Sequence, residues 1–222
     1  MPDLPKSVAL AVMLAASALA DAAASERAGI QNREHEQEAR ALTNHGAALS
    51  EKGRFDEAMA VLTRAIALDP RGSLAFYNRG NVYLHRRQFD QAIADYTEAI
   101  RLNPLLALAH MNRGSAYSNQ GRLDEALTDL NEAVRLEPSS VDAYYNRALV
   151  HSKRRQYKEA VADLSEAIRL NPSDAAAHTA RGVAFHRMGN RENAIADYRK
   201  ALELNPSDAG AAENLRTLGA DR

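Results

Sequence analysis

The chain has 222 residues, with 28 basic and 29 acidic side chains, a net charge of −1 and no cysteine. Such balance argues against a nucleic-acid binder, whose basic footprint shows in the totals. The lack of cysteine rules out a disulfide framework, a thiol nucleophile and a cysteine-based zinc site.

Residues 1–20, MPDLPKSVALAVMLAASALA, carry one lysine and then an uncharged run from Val8 to Ala20. The run is shorter than the roughly 20 residues that a helix needs to cross a bilayer. Ala18-Leu19-Ala20 has the small-x-small pattern of a signal-peptidase site. The segment is predicted to be a cleaved signal peptide, with a mature N-terminus near Asp21 and export to the periplasm or beyond. The mature form would then not span a membrane. Two alternatives stay open, an uncleaved N-terminal anchor and a buried first helix. No cysteine follows the run, so lipid attachment at a cysteine after cleavage is excluded. Cleavage takes Asp3 and Lys6 with it and leaves the net charge unchanged.

Residues 21–38, DAAASERAGIQNREHEQE, are nearly all polar and read as a flexible lead that turns helical where it meets the next segment. His35-Glu36 opens like a metalloprotease helix, but Ala39 stands where the second histidine would be.

From Ala39 the chain repeats itself. AFYNRGNVYLHRRQFDQAIADYTEAIRLNP, ending at Pro104, returns 34 residues later as AHMNRGSAYSNQGRLDEALTDLNEAVRLEP, ending at Pro138. Further copies end at Pro70, Pro172 and Pro206. A constant period of this size marks stacked supersecondary units. The units are 39–72, 73–106, 107–140, 141–174 and 175–208. In the second half of each, apolar residues recur at spacings of three and four, as in Phe89, Ala92, Ile93, Tyr96, Ala99 and Ile100. That is one face of an α-helix. The first half predicts a shorter helix, and each second helix stops at a proline, which cannot continue it. The eighth position holds Gly46, Gly80, Gly114, Ala148 and Gly182; the twentieth and twenty-seventh are always alanine. Glycine inside a helix costs about 1 kcal/mol against alanine, so its recurrence predicts a close helix contact, with Gly80 facing Ala92 and Gly114 facing Ala126.

These residues resemble the tetratricopeptide repeat (TPR). The resemblance covers Ala39 to Asp208 and implies an all-α solenoid, a right-handed superhelix of antiparallel helix pairs. Residues 209–222 are predicted to be a capping helix and tail, with Ala212 and Leu215 continuing the inner pattern. Arg191 replaces the apolar seventeenth residue of the other units, as expected where a surface starts to face water. The seventh position is Arg79, Arg113, Arg147 and Arg181 wherever the twenty-third is Asp95, Asp129, Asp163 and Asp197; the first unit has His45 and Val61. Joint presence and joint loss predict an ion pair within each unit. Five units and a cap exceed the three such arrays need, which predicts a stable monomer.

No enzyme constellation is present: there is no glycine-rich phosphate loop and no carboxylate dyad outside the repeat pattern, so no catalytic residue, cofactor or metal is predicted. The seven histidines occupy scattered repeat positions and read as packed or surface residues. In the family, the first helix of each unit lines a concave groove and its sixth position faces inward. Here that column is Asn44, Asn78, Asn112 and Asn146, then Ala180. An amide donates and accepts, so the column is a candidate ruler for the backbone of an extended peptide. It resembles the asparagine ladder in the repeat arm of the glycosyltransferase that places N-acetylglucosamine on serine and threonine, whose catalytic domain has no counterpart here. Around it the expected lining is Tyr77, Asn81, Met111, Ser115 and Tyr145, with Leu84, Ser118 and Ser152 beyond. The carboxylate clamp of the family's chaperone adaptors needs basic residues that Leu74, Leu108, Tyr77, Met111, Asn78 and Asn112 do not supply, so that partner class is not expected. The leading reading is a non-enzymatic scaffold with a protein or peptide partner. The alternatives are a structural spacer in an envelope assembly and an accessory subunit holding a polysaccharide strand.

Overall fold

The computed structural model describes the backbone of residues 6–220 and the side chains of residues 24–27 and 29–220. The predicted cleavage-site side chains, Ala18, Leu19 and Ala20, lie outside the described residues, as do residues 1–5 altogether. Eleven helices follow one another, with no strand among the described residues: α1 (Lys6–Glu51), α2 (Phe55–Leu68), α3 (Ser73–His85), α4 (Phe89–Leu102), α5 (Ala107–Asn119), α6 (Leu123–Leu136), α7 (Val141–Lys153), α8 (Tyr157–Leu170), α9 (Ala175–Arg187), α10 (Arg191–Leu204) and α11 (Ala209–Thr217). The chain divides within α3 into two compact units, residues 1–78 and 79–222.

In the first unit α1 packs along α2, closing over Ala39, Leu49, Ala58, Leu62 and Ala65. Residues 21–38, expected as a flexible lead, instead belong to the continuous helix α1. Apart from Gly29 the segment holds no helix breaker and is rich in alanine, glutamate, glutamine and arginine, all good helix formers. No helix among the described residues is long and apolar enough to cross a membrane.

In the second unit successive helices pack as antiparallel pairs, and first helices also touch their counterparts, α5 with α7 and α7 with α9. The core is a chain of small clusters: Ala126, Leu130 and Val150; then Ala148, Ala160, Leu164 and Ala167; then Ala194, Tyr198, Ala201, Ala211 and Leu215. Alanines at the twentieth and twenty-seventh positions are fully or almost fully buried in all five repeats.

The glycine contact differs from the expected one. A Cβ on Gly80 or Gly182 would lie 2.7 Å from the ring of Tyr96 or Tyr198, and one on Gly46 would lie 2.5 Å from Leu62 Cγ. On Gly114 it would meet Leu130 Cγ at 2.9 Å and the Ala126 carbonyl at 3.1 Å. The nearest residue is thus the large side chain at the twenty-fourth position, and at Gly114 the expected Ala126 takes part through its backbone carbonyl. Side chains on a helix lean toward its N-terminus, so the bulky residue covers the level at which the glycine sits.

Each second helix ends at the residue before the repeated proline. Asp69, Asn103, Glu137, Asn171 and Asn205 have φ from −132° to −138° and ψ from 80° to 90°. Clash with the proline ring excludes the helical conformation there. The next helix is then capped by Ser140, Asp174 or Asp208, whose side-chain oxygens accept the N–H of Ala143, Ala177 or Ala211.

The ion pairs form as expected. Arg79, Arg113, Arg147 and Arg181 each grip their aspartate through two nitrogens at 2.6–2.9 Å, with the carboxylates buried. Arg113, Arg147 and Arg181 also reach the preceding repeat, donating to Thr97, Asn131 and Ser165 at 3.0–3.1 Å. One guanidinium therefore locks a helix pair and ties it to its neighbour. At the end of the array Ala211 and Leu215 are buried against α10, whereas Ala212, the expected inward residue, is only half-buried. Arg191, exposed as expected, donates to the Leu218 carbonyl and ties the cap to the last repeat.

Candidate functional site

The asparagine column divides between the two compact units. Asn44, Tyr77 and Asn78 belong to the first; Asn81, Met111, Asn112, Ser115, Tyr145 and Asn146 belong to the second. In the first unit Asn44 is exposed on α1 and lines an open cleft of about 550 Å³. The cleft runs from Glu36, Arg40 and Thr43 on α1 to Asp69, Arg71 and the start of α3. Gly72 fits at that bend because a Cβ there would crowd Asp69 Oδ2 at 3.1 Å. Tyr77 and Asn78 are half-buried on α3.

In the second unit the amides are not independent. Asn112 Nδ2 donates to Asn81 Oδ1 at 2.9 Å, and Tyr96 Oη donates to the same oxygen at 2.8 Å. Asn81 is thereby oriented, with its carbonyl turned toward the protein and its Nδ2 left as a donor. An amide held this way carries less rotamer freedom into a complex. Asn146 and Ser115 are half-buried on α7 and α5, and no side-chain bond holds them among the described residues. Met111 and Tyr145 are half-buried and pack part of their surface against the core clusters. The Tyr145 hydroxyl is pushed up from its ordinary pKa by burial and by the carboxylates of Asp174 and Asp208, so it stays a donor. Ser118, expected to line the groove, is buried and accepts from the Lys153 ammonium at 2.8 Å.

Two residues extend the site beyond the expected set, and a third is a buried counterpart of one of its supports. Asn214 lies one period after Ala180 and restores the column on α11; simple counting through the cap would have found it. Arg40 occupies the second position of the first repeat, where it puts a cation in the cleft. Tyr198 is the counterpart of Tyr96, but Val183 stands where Asn81 would receive its hydroxyl. Its buried Oη has no partner among the described residues and, largely through burial, its pKa is pushed up to about 12.

Two histidines read as packed residues join the ion pairs. His110 is buried with Nδ1 3.2 Å from Asp129 Oδ1 and Nε2 3.2 Å from the Pro104 carbonyl, and His178 repeats the arrangement with Asp197 and Pro172. Burial works against the Asp129 carboxylate, yet Arg113 and His110 together hold it below the ordinary range. These groups are consumed in packing. Among the described residues no group of three or more histidines, cysteines or carboxylates is placed to hold a metal ion.

The tetratricopeptide repeat family profile matches residues 43–107, 77–141, 111–157 and 145–209. No curated protein sequence matches the chain. Among solved structures, YrrB, described as a TPR protein with an unusual peptide-binding site, is 23% identical with a TM-score of 0.67, over 79% of this chain and 90% of its own. MamA from Desulfovibrio magneticus RS-1 is 20% identical with a TM-score of 0.70, over 78% of this chain and 97% of its own. Pseudomonas aeruginosa PilF is 18% identical with a TM-score of 0.75, over 84% of this chain and 87% of its own. At these identities the likeness speaks for the fold. With the repeat-long period, the paired helices, the buried alanine columns and a family match over most of its length, the chain belongs to the tetratricopeptide repeat family, as five tandem repeats closed by a capping helix.

Proposed function

We propose that this protein is an exported, monomeric, non-enzymatic scaffold that holds an extended peptide segment of another protein along its first helices. The observation that carries this is the amide column. In the second unit Asn81, at the ninth position of its repeat, is pre-oriented by Tyr96 and Asn112, and Asn112 and Asn146 present amides at the sixth position. Amides without a surrounding basic clamp suit the uncharged backbone of a peptide, each able to give and receive one bond. YrrB, by its description, is a precedent for peptide binding on this fold.

The test begins with a peptide selected on the wild-type protein from a displayed random library. Ser115→Ala with Asn146→Ala, both in the second unit, should weaken its binding by about 5- to 30-fold per site, on the order of 1–2 kcal/mol each. Helical content should not change. Asn112→Ala is the less clean probe, since it also breaks the bond to Asn81. Equal binding by the double variant would place the ligand elsewhere. The intact mass of protein from its native host tests export: a mature N-terminus near Asp21 is expected, and a full-length soluble cytosolic species would sink that part.

A further inference from the structure

In the second unit the turns that join the two helices of a repeat lie on one edge, and the charge of three of them is one-sided. Turns 85–88, 119–122 and 153–156 carry Arg86, Arg87, Arg122, Lys153, Arg154 and Arg155 and no acid. On the opposite edge, turns 103–106, 137–140 and 171–174 carry no cation and hold Glu137 and Asp174. In a chain of net charge −1 this is segregation, not excess. The basic tips are neighbours: Gln120 Nε2 donates to Asp90 at 2.7 Å, and Arg154 donates to Asp124 at 2.6 Å.

Two positions stand out. The fifteenth residue of every repeat takes a left-handed conformation, and Gly53, Gly121 and Gly189 adopt it at φ 72°, 78° and 77°. Glycine does so without steric cost, and residues with a side chain rarely do. The second and fourth repeats place Arg87 and Arg155 there, at φ 58° and 60°. Both are exposed, and neither side chain has a partner among the described residues, so no internal contact offsets the strain. Arg122 and Arg154, by contrast, are taken up by Glu125 and Asp124, while Glu159 is an exposed acid on the same edge.

We propose that this edge docks on an anionic phospholipid surface, with Arg87 and Arg155 as its principal contacts. Five of the six turn cations are arginine, whose planar fork pairs with phosphate through two parallel bonds. They project from the tips of turns, where a flat array of headgroups reaches several at once, and not from a channel that would enclose a single chain. Each cation that reaches an acidic lipid surface contributes about five-fold in partitioning.

Restoring glycine tests this without risk to the fold. The full chain carrying Arg87→Gly and Arg155→Gly should melt no lower than wild type, because glycine is what three other repeats use there. It should float with phosphatidylcholine–phosphatidylglycerol (3:1) vesicles roughly 25-fold less well at 50 mM salt, and with pure phosphatidylcholine vesicles as wild type does. Wild-type binding to the acidic vesicles should fall steeply at 500 mM salt, where screening is strong. Undiminished flotation of the double variant, or binding indifferent to salt, overturns the proposal. So does the case in which wild type ignores acidic vesicles but binds a polyglutamate peptide through the same two arginines, which would make the edge a site for an acidic protein segment.

Discussion

Asp129 shows how much one buried carboxylate is asked to do. It accepts from two nitrogens of Arg113 and faces His110, which in turn reaches the Pro104 carbonyl. A buried pair of this kind contributes uncertain net stability against an apolar replacement, but removing one partner leaves an uncompensated charge at a cost of about 3–5 kcal/mol. Asp129→Ala should therefore lower the urea midpoint far more than Asp124→Ala, whose carboxylate is exposed and paired only at the surface. The pH dependence has a definite sign. A carboxylate whose folded pKa is depressed stabilises the fold above its unfolded pKa of about 3.9, and the contribution is lost as pH falls through the folded value. Wild type should lose stability between about pH 5 and pH 2 more steeply than the Asp129→Ala variant. At the other end of the array, Val183→Asn offers the orphaned Tyr198 hydroxyl the acceptor that Asn81 gives Tyr96. A gain of about 0.5–1.5 kcal/mol is expected, read as a raised melting temperature.

Within a helix pair, tolerance at the glycine is set by the residue facing it. Gly80 and Gly182 lie under tyrosine rings, and Gly46 and Gly114 lie under leucines. The fourth repeat carries Ala148 in the same cluster as Leu164, which shows that a leucine can give way to a methyl. A tyrosine ring wedged between helices has less room to move. Gly114→Ala should accordingly cost less than Gly182→Ala, since the gain in helix propensity of about 1 kcal/mol offsets part of the crowding by Leu130 Cγ and the Ala126 carbonyl. Gly182→Ala should destabilise by about 1–3 kcal/mol. Urea midpoints of the two variants decide it, and equal values would mean that the ring yields as easily as the leucine. The helix ends follow equally local causes. Serine or aspartate caps α7, α9 and α11, while Leu106 fills the corresponding place before α5 without a capping bond.

Across the second unit, stability is spread along a line. Each core cluster joins a helix pair to the next, and no cluster spans the whole unit. In such arrays stability is close to a sum of repeat and interface terms, so damage at one end stays there. Leu215→Ala empties part of the contact between α10 and α11, with an expected cost of about 2–5 kcal/mol if the cavity persists. Amide hydrogen exchange should accelerate in α10 and α11 while protection in α5 and α6 is kept. A uniform loss of protection would mean that the unit unfolds all or none.

Period, helix faces and helix stops were all legible in the residues. A fixed spacing of prolines and alanines dictates where backbones turn and where they touch, and both depend on local sterics alone. The Arg113–Asp129 pair was legible too, because two residues that appear and vanish together in a repeat carry a record of contact. What lay across from each glycine was not legible, since side-chain lean moves the contact one turn along the facing helix. Nor was the bond between Asn81 and Asn112, which joins different positions in successive repeats and forms only beside Tyr96. Arg87 and Arg155 look like ordinary surface arginines until their positive φ is seen. Periodicity within a chain determines what recurs; contacts between unlike positions, and the handedness of a backbone bend, are decided only when helices pack in three dimensions.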